Sequence, residues 1–234
     1  MADFDFEQFK KDMLDGVSSA ADSIASAAKG AGDEVVRYKQ FNETGRDLFL
    51  SAAVTSHGGN LSVSDGTTIW ITKTGSMLGH LTPNDILPLA WAPSERDRDA
   101  SIELPVHRAI YQALGREALA QGLPFGSKAI VHAHTPHTIF RSLIEDAIVP
   151  LDAEGILALG AAVSVLTPSQ VIASQEAAEL LAQSITEGTR IAILRGHGPF
   201  AVADTLAGAY RLISCLEQSA FLLNLFEQTG RKPG

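Results

Sequence analysis

Two histidines one residue apart, His132-Ala133-His134, close a compact β-prone run that begins at Lys128. Side chains at i and i+2 of a strand point to the same face, so the pair can offer two imidazole nitrogens to one ion where the strand end opens to solvent. A His-x-His pair by itself reads equally well as two partly exposed strand histidines. A third ligand is needed, and His197 is the leading candidate: it stands between Gly196 and Gly198 at a β turn, where the backbone bends sharply and a ring is not needed for core packing. Three protein nitrogens around zinc leave one position for substrate, which is the catalytic rather than the structural arrangement. Glu103 lies near Ser101 just ahead of an apolar helical run, where a carboxylate either caps the helix or serves a site. The loops Ser56-His57-Gly58-Gly59-Asn60 and Thr74-Gly75-Ser76 combine glycines with short polar side chains, so their N–H groups could wrap a phosphate, although such turns are also common as plain structure.

The elements that must position these residues read as mixed α/β from Asp33 onward. A helical stretch through Val35, Tyr38, Phe41 and Leu48 stops before Gly58-Gly59, and Leu61–Ser64 and Thr67–Thr72 form a hairpin around Asp65-Gly66, a dipeptide favoured in type I′ turns. A loop then leads to a strand at Ile86–Trp91. Helical spacing returns over Glu103–Leu119, Pro136 suits the first turn of a helix, and Ser174–Ile185 is helical. Ile191–Leu194 and Phe200–Val202 pair across the Gly-His-Gly turn, and Asp204 is placed to cap a long final helix through Tyr210, Ile213, Leu216 and Phe221. The expected fold is a three-layer α/β/α arrangement with a mixed central sheet, not a purely parallel one.

The first residues differ in character. Phe6, Phe9, Met13, Val17, Ala20, Ile24 and Ala27 recur every three or four positions along a narrow helical stripe, and Gly30 to Gly32 reads as a helix end and linker. The expected division is therefore an N-terminal amphipathic helix and linker over 1–32 and a catalytic domain over 33–234.

Composition excludes several functions. At 234 residues, 45% hydrophobic and 19% charged, the chain can bury a core without disulfides, and the single Cys215 has no intrachain partner, which fits a reducing compartment. A net charge of -9 without a run of Lys and Arg disfavours nucleic acid. No apolar stretch is long enough to span a bilayer, and the acidic opening MADFDFEQF is unlike a secretory signal, so the expectation is a soluble cytoplasmic protein.

Taken in order, GGNLS, ITKTG, LTPNDI, SIELPVH, AIVHAHTP and LRGHG resemble the class II aldolase and adducin-head family typified by L-fuculose-1-phosphate aldolase, over roughly Tyr38 to Leu225. The ordered His-x-His, the Gly-His-Gly turn and the Glu-x-x-x-His of Glu103 and His107 are its most specific parts. The resemblance implies a Zn2+ site at His132, His134 and His197, an acid/base role for Glu103, and a phosphate site at Gly59, Asn60, Thr74, Gly75 and Ser101. It implies cleavage of a phosphorylated ketose of the fuculose, rhamnulose, 5-deoxyribulose or methylthioribulose 1-phosphate type to dihydroxyacetone phosphate and an aldehyde. Ribulose-phosphate 4-epimerases, related dehydratases or decarboxylases, and non-catalytic adducin-like scaffolds share the fold. The resemblance further implies a homotetramer with the site completed at a subunit interface, and the N-terminal helix is similar to peptides that dock enzymes on bacterial microcompartment shell proteins, with packing on its own oligomer as the alternative. Two departures from the family pattern stand out. Ile102 occupies the place of a serine that contacts phosphate, with Lys73 nearby, and Asp152 and Glu154 lie in the loop where fuculose-phosphate enzymes carry a tyrosine, which makes them candidates for substrate contact. His107 reads as a packing or supporting histidine, and His57, His80 and His137 as loop residues.

Overall fold

The computed structural model describes residues 32–187 and 190–230. The amphipathic stretch from Phe6 to Ala27 lies outside the described residues. Gly32 is already helical: the first described helix, α1, covers residues 32–50, and the main compact unit runs Gln40–Gly234.

Eight strands, β1 (Asn60–Ser64), β2 (Thr68–Thr72), β3 (Ile86–Ala90), β4 (Lys128–His132), β5 (Ala147–Ile148), β6 (Val163–Leu166), β7 (Ile191–Leu194) and β8 (Gly198–Ala203), form one sheet in the order β3-β2-β1-β4-β8-β7-β6-β5. Every adjacent pair is antiparallel except the parallel β6 and β7, so the sheet is mixed as the pattern predicts. The order divides it into two halves of consecutive strands, residues 60–132 and 147–203, that meet only where β4 pairs with β8.

Helices α2 (Leu104–Ala120), α3 (Pro136–Ser142), α4 (Ala153–Leu159), α5 (Gln175–Glu187) and α6 (Leu206–Thr229) complete the described fold. The central strands are apolar on both sides. Ala129 and Val131 of β4 and Ala201 of β8 pack with Phe41 and Leu48 of α1 and Ile213 and Leu216 of α6. Ile130, Phe200 and Val202 pack instead with Val106 and Ile110 of α2 and Leu181 and Ile185 of α5. This continuous burial, not an alternating pattern, is what a sheet covered by helices on both faces demands. Strand parity then places His132 on the same face as Ile130, the face that α2 covers.

Several local details depart from the sequence reading. The β1–β2 hairpin is not a two-residue type I′ turn, because only Gly66 has positive φ (94°) whereas that turn needs positive φ at both central residues. Instead the Asp65 carboxylate accepts hydrogen bonds from Thr67 N (2.8 Å), Thr67 Oγ1 (2.8 Å) and Thr68 N (2.9 Å), closing a longer loop through its side chain. Thr205, not Asp204, caps α6, its hydroxyl accepting from Gly208 N, while Asp204 pairs with Lys128 Nζ at 2.5 Å. The two-residue β5, the strand β6 and the short α4 are elements the sequence reading did not foresee; each is too brief to build a periodic pattern.

The 3₁₀ segment Glu95–Asp99 carries the chain into Ser101 and Glu103, and it is tied down by one guanidinium. Arg108 of α2 donates from Nη1 to Asp97 Oδ2 (2.8 Å), from Nη2 to Asp97 Oδ1 (3.2 Å) and from Nη2 to the Ala90 carbonyl (3.0 Å). Burial works to raise the Asp97 pKa, but the Arg108 hydrogen bonds and charge outweigh it and hold the carboxyl below its ordinary 3.8. Because the folded pKa is the lower one, this stabilisation is present above about pH 4 and fades as pH falls through the lowered value. Asp97→Asn is therefore expected to cost about 2 kcal/mol at pH 7, the size of a hydrogen bond to a charged group. Urea melts should show the gap between variant and parent narrowing toward pH 3.

Candidate metal centre and anion pocket

His132, the last residue of β4, is buried with its ring stacked on Phe200 (centroids 3.9 Å, interplanar angle 11°), its register partner on β8. Its Nδ1 lies 3.1 Å from the Pro199 carbonyl, so Nδ1–H donates there and the neutral ring presents a bare Nε2 to the cavity. That Nε2 is 3.1 Å from His134 Nε2 and 3.3 Å from His197 Nε2. Ligand atoms of the three residues all lie within 4.8 Å of one another. Nitrogens bound tetrahedrally at 2.0–2.1 Å from one zinc stand about 3.3 Å apart, so the 3.1 and 3.3 Å spacings from His132 fit such an ion. The protonation states fit as well. Burial, with the neighbouring His197 and His134, drives His132 well below its ordinary value; burial lowers His134; burial and His134 lower His197 to about 4. Three neutral imidazoles with convergent lone pairs could hold a metal ion.

The third imidazole arrives from the other half of the sheet, and the turn that carries it is clasped firmly. Arg195 reaches back from Nη1 to the carbonyls of Ser142 (2.5 Å) and Glu145 (3.2 Å), from Nη2 to Asp146 Oδ1 (2.5 Å) and from Nε to Thr167 Oγ1 (2.9 Å). Gly196 N donates to Ser142 Oγ at 3.0 Å. On the other side, Gly198 has φ of 140° and packs so close to β4 that a Cβ there would stand 2.1 Å from the Ala133 carbonyl oxygen. Glycine is the residue that both the backbone angle and the approach require.

Glu103 precedes α2 at the N-cap position, yet its side chain makes no capping bond. The carboxyl is 3% exposed, its two oxygens have no hydrogen-bond partner of ordinary geometry, and Oε1 lies 3.9 Å from His197 Nε2. Burial pushes its pKa up to about 7, with the Ala173 backbone N–H pulling weakly the other way. A desolvated carboxyl aimed at a cluster of metal-type ligands, and released from the capping duty its position suggests, is suited to proton transfer.

One cavity of about 190 Å³ is lined by His132, His134, His197, Glu103, Gly59, Asn60, Thr74, Gly75 and Ser101, so the residues singled out for metal, acid/base and anion roles share a single space. Lys73, Ser76, His57, Ile102 and Ile172 line it too. Of these, Ser76 belongs to the glycine-containing loop that the sequence marks for an anion, whereas Ile172 carried no distinguishing signal: it is an aliphatic residue in an irregular segment that only the fold brings over the site. Asp152 and Glu154 do not line this cavity. Asp152 caps α4, accepting from Gly155 N (2.8 Å) and Ser219 Oγ (2.5 Å), and Glu154 Oε1 lies 3.7 Å from Cys215 Sγ. His107 is wholly buried behind the cavity, His137 opens α3, and His80 sits in a short 3₁₀ segment.

The chain is similar to known proteins over most of its length. Residues 39–223 match the family described as class II aldolase and adducin N-terminal domain. The L-fuculose phosphate aldolase of Methanocaldococcus jannaschii is 30% identical over 198 residues, covering 80% of this chain and 96% of the relative. Among solved structures, L-fuculose-1-phosphate aldolase from Thermus thermophilus superposes with a TM-score of 0.73 at 35% identity, over 84% of this chain and 97% of that one. A sugar-phosphate aldolase from Thermotoga maritima shares the fold, with a TM-score of 0.66 at 20% identity over 82% and 95% of the two chains.

The three-imidazole geometry predicts that metal-free protein titrated with Co2+ takes up about one ion per chain with the absorption of a tetrahedral site, and that His132→Ala abolishes the uptake. Equilibrium dialysis followed by elemental analysis reads the stoichiometry directly.

Proposed function

Because the chain belongs to the class II aldolase and adducin N-terminal domain family, we propose that it is a zinc-dependent aldolase that splits a ketose 1-phosphate into dihydroxyacetone phosphate and an aldehyde. The observation that carries this reading is the shared cavity, lined together by three convergent imidazoles, an unpartnered buried carboxyl, and glycine, hydroxyl, amide and lysine groups. The names borne by the archaeal and Thermus relatives support the same substrate class.

Zinc held by His132, His134 and His197 would supply a Lewis acid that stabilises negative charge on substrate oxygens as the C3–C4 bond breaks. Glu103 handles the proton. Its raised pKa lets the carboxyl deliver a proton to the carbon that becomes the hydroxymethyl group of dihydroxyacetone phosphate and, in the synthetic direction, take it back. Asn60, Thr74, Gly75 and Ser101 bind the phosphate, with Lys73 adding a positive charge where Ile102 removes a hydroxyl, and this anchorage orients the reacting carbons. The large apolar residues exposed on and beside α3 and α4, Phe140, Leu143, Ile144, Ile156 and Leu157, support a homotetramer that covers them. In such an assembly Asp152 and Glu154, remote from their own cavity, would meet substrate only across a subunit boundary. Among the described residues no helix is long and apolar enough to cross a membrane.

The test is a panel of fuculose, rhamnulose, 5-deoxyribulose and methylthioribulose 1-phosphates, with dihydroxyacetone phosphate coupled to an NADH-consuming reductase. One member is expected to be cleaved. An epimer, a dehydrated or decarboxylated product instead of dihydroxyacetone phosphate would assign the chain to another branch of the scaffold, and absence of both metal and turnover would make it a binding module. Glu103→Gln is expected to keep its zinc and melting temperature and to lose cleavage by about a hundredfold or more, the usual contribution of an acid/base group. Near-normal turnover would place the proton elsewhere.

A further inference from the structure

Beyond Asn60 runs a chain of buried polar groups, His107, Ser62 and Tyr111, that the proposed chemistry leaves unused. Tyr111 and Ser62 are fully buried, as is His107, and Asn60 is 5% exposed. Ser62 Oγ is 2.8 Å from Tyr111 Oη and 2.6 Å from His107 Nδ1, and His107 Nε2 is 2.5 Å from Asn60 Oδ1. Tyr111 Oη has one other acceptor in reach, the Lys128 carbonyl at 3.4 Å, which is long for an O–H···O bond.

Each hydroxyl owns one proton and a neutral imidazole owns one N–H, so the chain can be directed. Burial pushes His107 down to about 3, so the ring is neutral. With Tyr111 donating to Ser62 at 2.8 Å, Ser62 donates to His107 Nδ1, and the ring's single N–H sits on Nε2 and donates to Asn60 Oδ1. The reverse sense would leave the phenol proton only the long contact to Lys128. Fixing Oδ1 as the acceptor leaves Nδ2, with two N–H donors and no hydrogen-bond partner among the described residues, for the cavity that Asn60 lines. An amide free to rotate would present its oxygen to an anion in part of the population, which repels it.

We propose that His107 is a positioning residue for the anion subsite, holding the Asn60 amide so that its N–H groups, not its carbonyl, face the substrate phosphate. This rests on reading the Asn60, Thr74, Gly75 and Ser101 wall as a phosphate site. The relay also accounts for a histidine standing one helical turn after Glu103: the glutamate faces the reacting carbon while the histidine supports the opposite end of the substrate.

The probe is inorganic phosphate, titrated against metal-loaded protein and followed by phosphorus NMR line broadening. His107→Phe is expected to weaken phosphate binding about tenfold or more, the loss of an oriented hydrogen bond to a charged group, while metal uptake stays at the parent level. His107→Gln, which retains a donor, is expected to recover most of the affinity. With a cleaved ketose phosphate in hand, KM should rise far more than kcat falls in His107→Phe. If that variant does not fold, Tyr111→Phe and Ser62→Ala decide the matter through a few-fold loss of phosphate affinity at unchanged metal content. A folded His107→Phe with parental phosphate affinity overturns the proposal, as does a parent protein that binds no phosphate, or unchanged affinity in Tyr111→Phe and Ser62→Ala. Phosphate affinity that depends on His107, in a protein that cleaves no ketose phosphate, keeps the relay and removes the aldolase reading; cleavage with affinity indifferent to His107 does the reverse.

Discussion

The register of β4 against β8 is the constraint on which the rest of the site depends. Pairing His132 with Phe200 stacks the imidazole on the phenyl ring and brings the Pro199 carbonyl to Nδ1. It also sets the Gly196–Gly198 turn so that His197 comes within 3.3 Å of His132. A slip of one residue would turn every side chain of the strand to the opposite face and send His132 into the layer built from α1 and α6. Register is secured by strands that are apolar on both faces, since any slip exchanges well-packed residues on two sides at once.

Around that seam the site is assembled by desolvation more than by ion pairing. The imidazoles are neutral because they are buried and adjacent, and the pKa of the Glu103 carboxyl is raised because it is buried. Burying an acid without a partner is costly, and one fold element tolerates it because α2 begins there under Ser101, whose hydroxyl accepts from Glu103 N, so the backbone is satisfied even though the side chain is not. Polar groups with partners do the holding elsewhere: Arg108 on Asp97, Arg195 on the carbonyls of Ser142 and Glu145 at the end of α3 and beyond it, and Glu217 across the N–H groups of His137 and Thr138.

Much of this was legible in the sequence, and the reason is chemical rather than statistical. His-x-His at the end of a β-prone run and a histidine between glycines identify themselves by residue type, as do the glycine loops, and the residues named from them converge on one cavity. What escaped was of two kinds. Turn chemistry departs from the sequence pattern where a side chain replaces the backbone solution, as Asp65 does in the hairpin, and where Thr205 takes the place of Asp204 at α6. Ile172 has no chemistry of its own and joins the site only through tertiary proximity, which spacing along the chain does not encode. Asp152 shows the converse, a carboxylate whose loop position drew attention but whose side chain is occupied as a helix cap.

The division of the sheet into two sequence-consecutive halves has a mechanical consequence. His132 and His134 belong to the first half and His197, 65 residues beyond His132, to the second, so an ion held by all three is a cross-link over their only shared strand boundary. Such a link closes a long loop in the manner of a disulfide, in a chain whose lone cysteine cannot form one. An ion bound here would therefore serve as a rivet as well as a reagent: whatever free energy it gained from the third imidazole would also resist shear between the halves, and withdrawing it would loosen the seam that aligns the three rings.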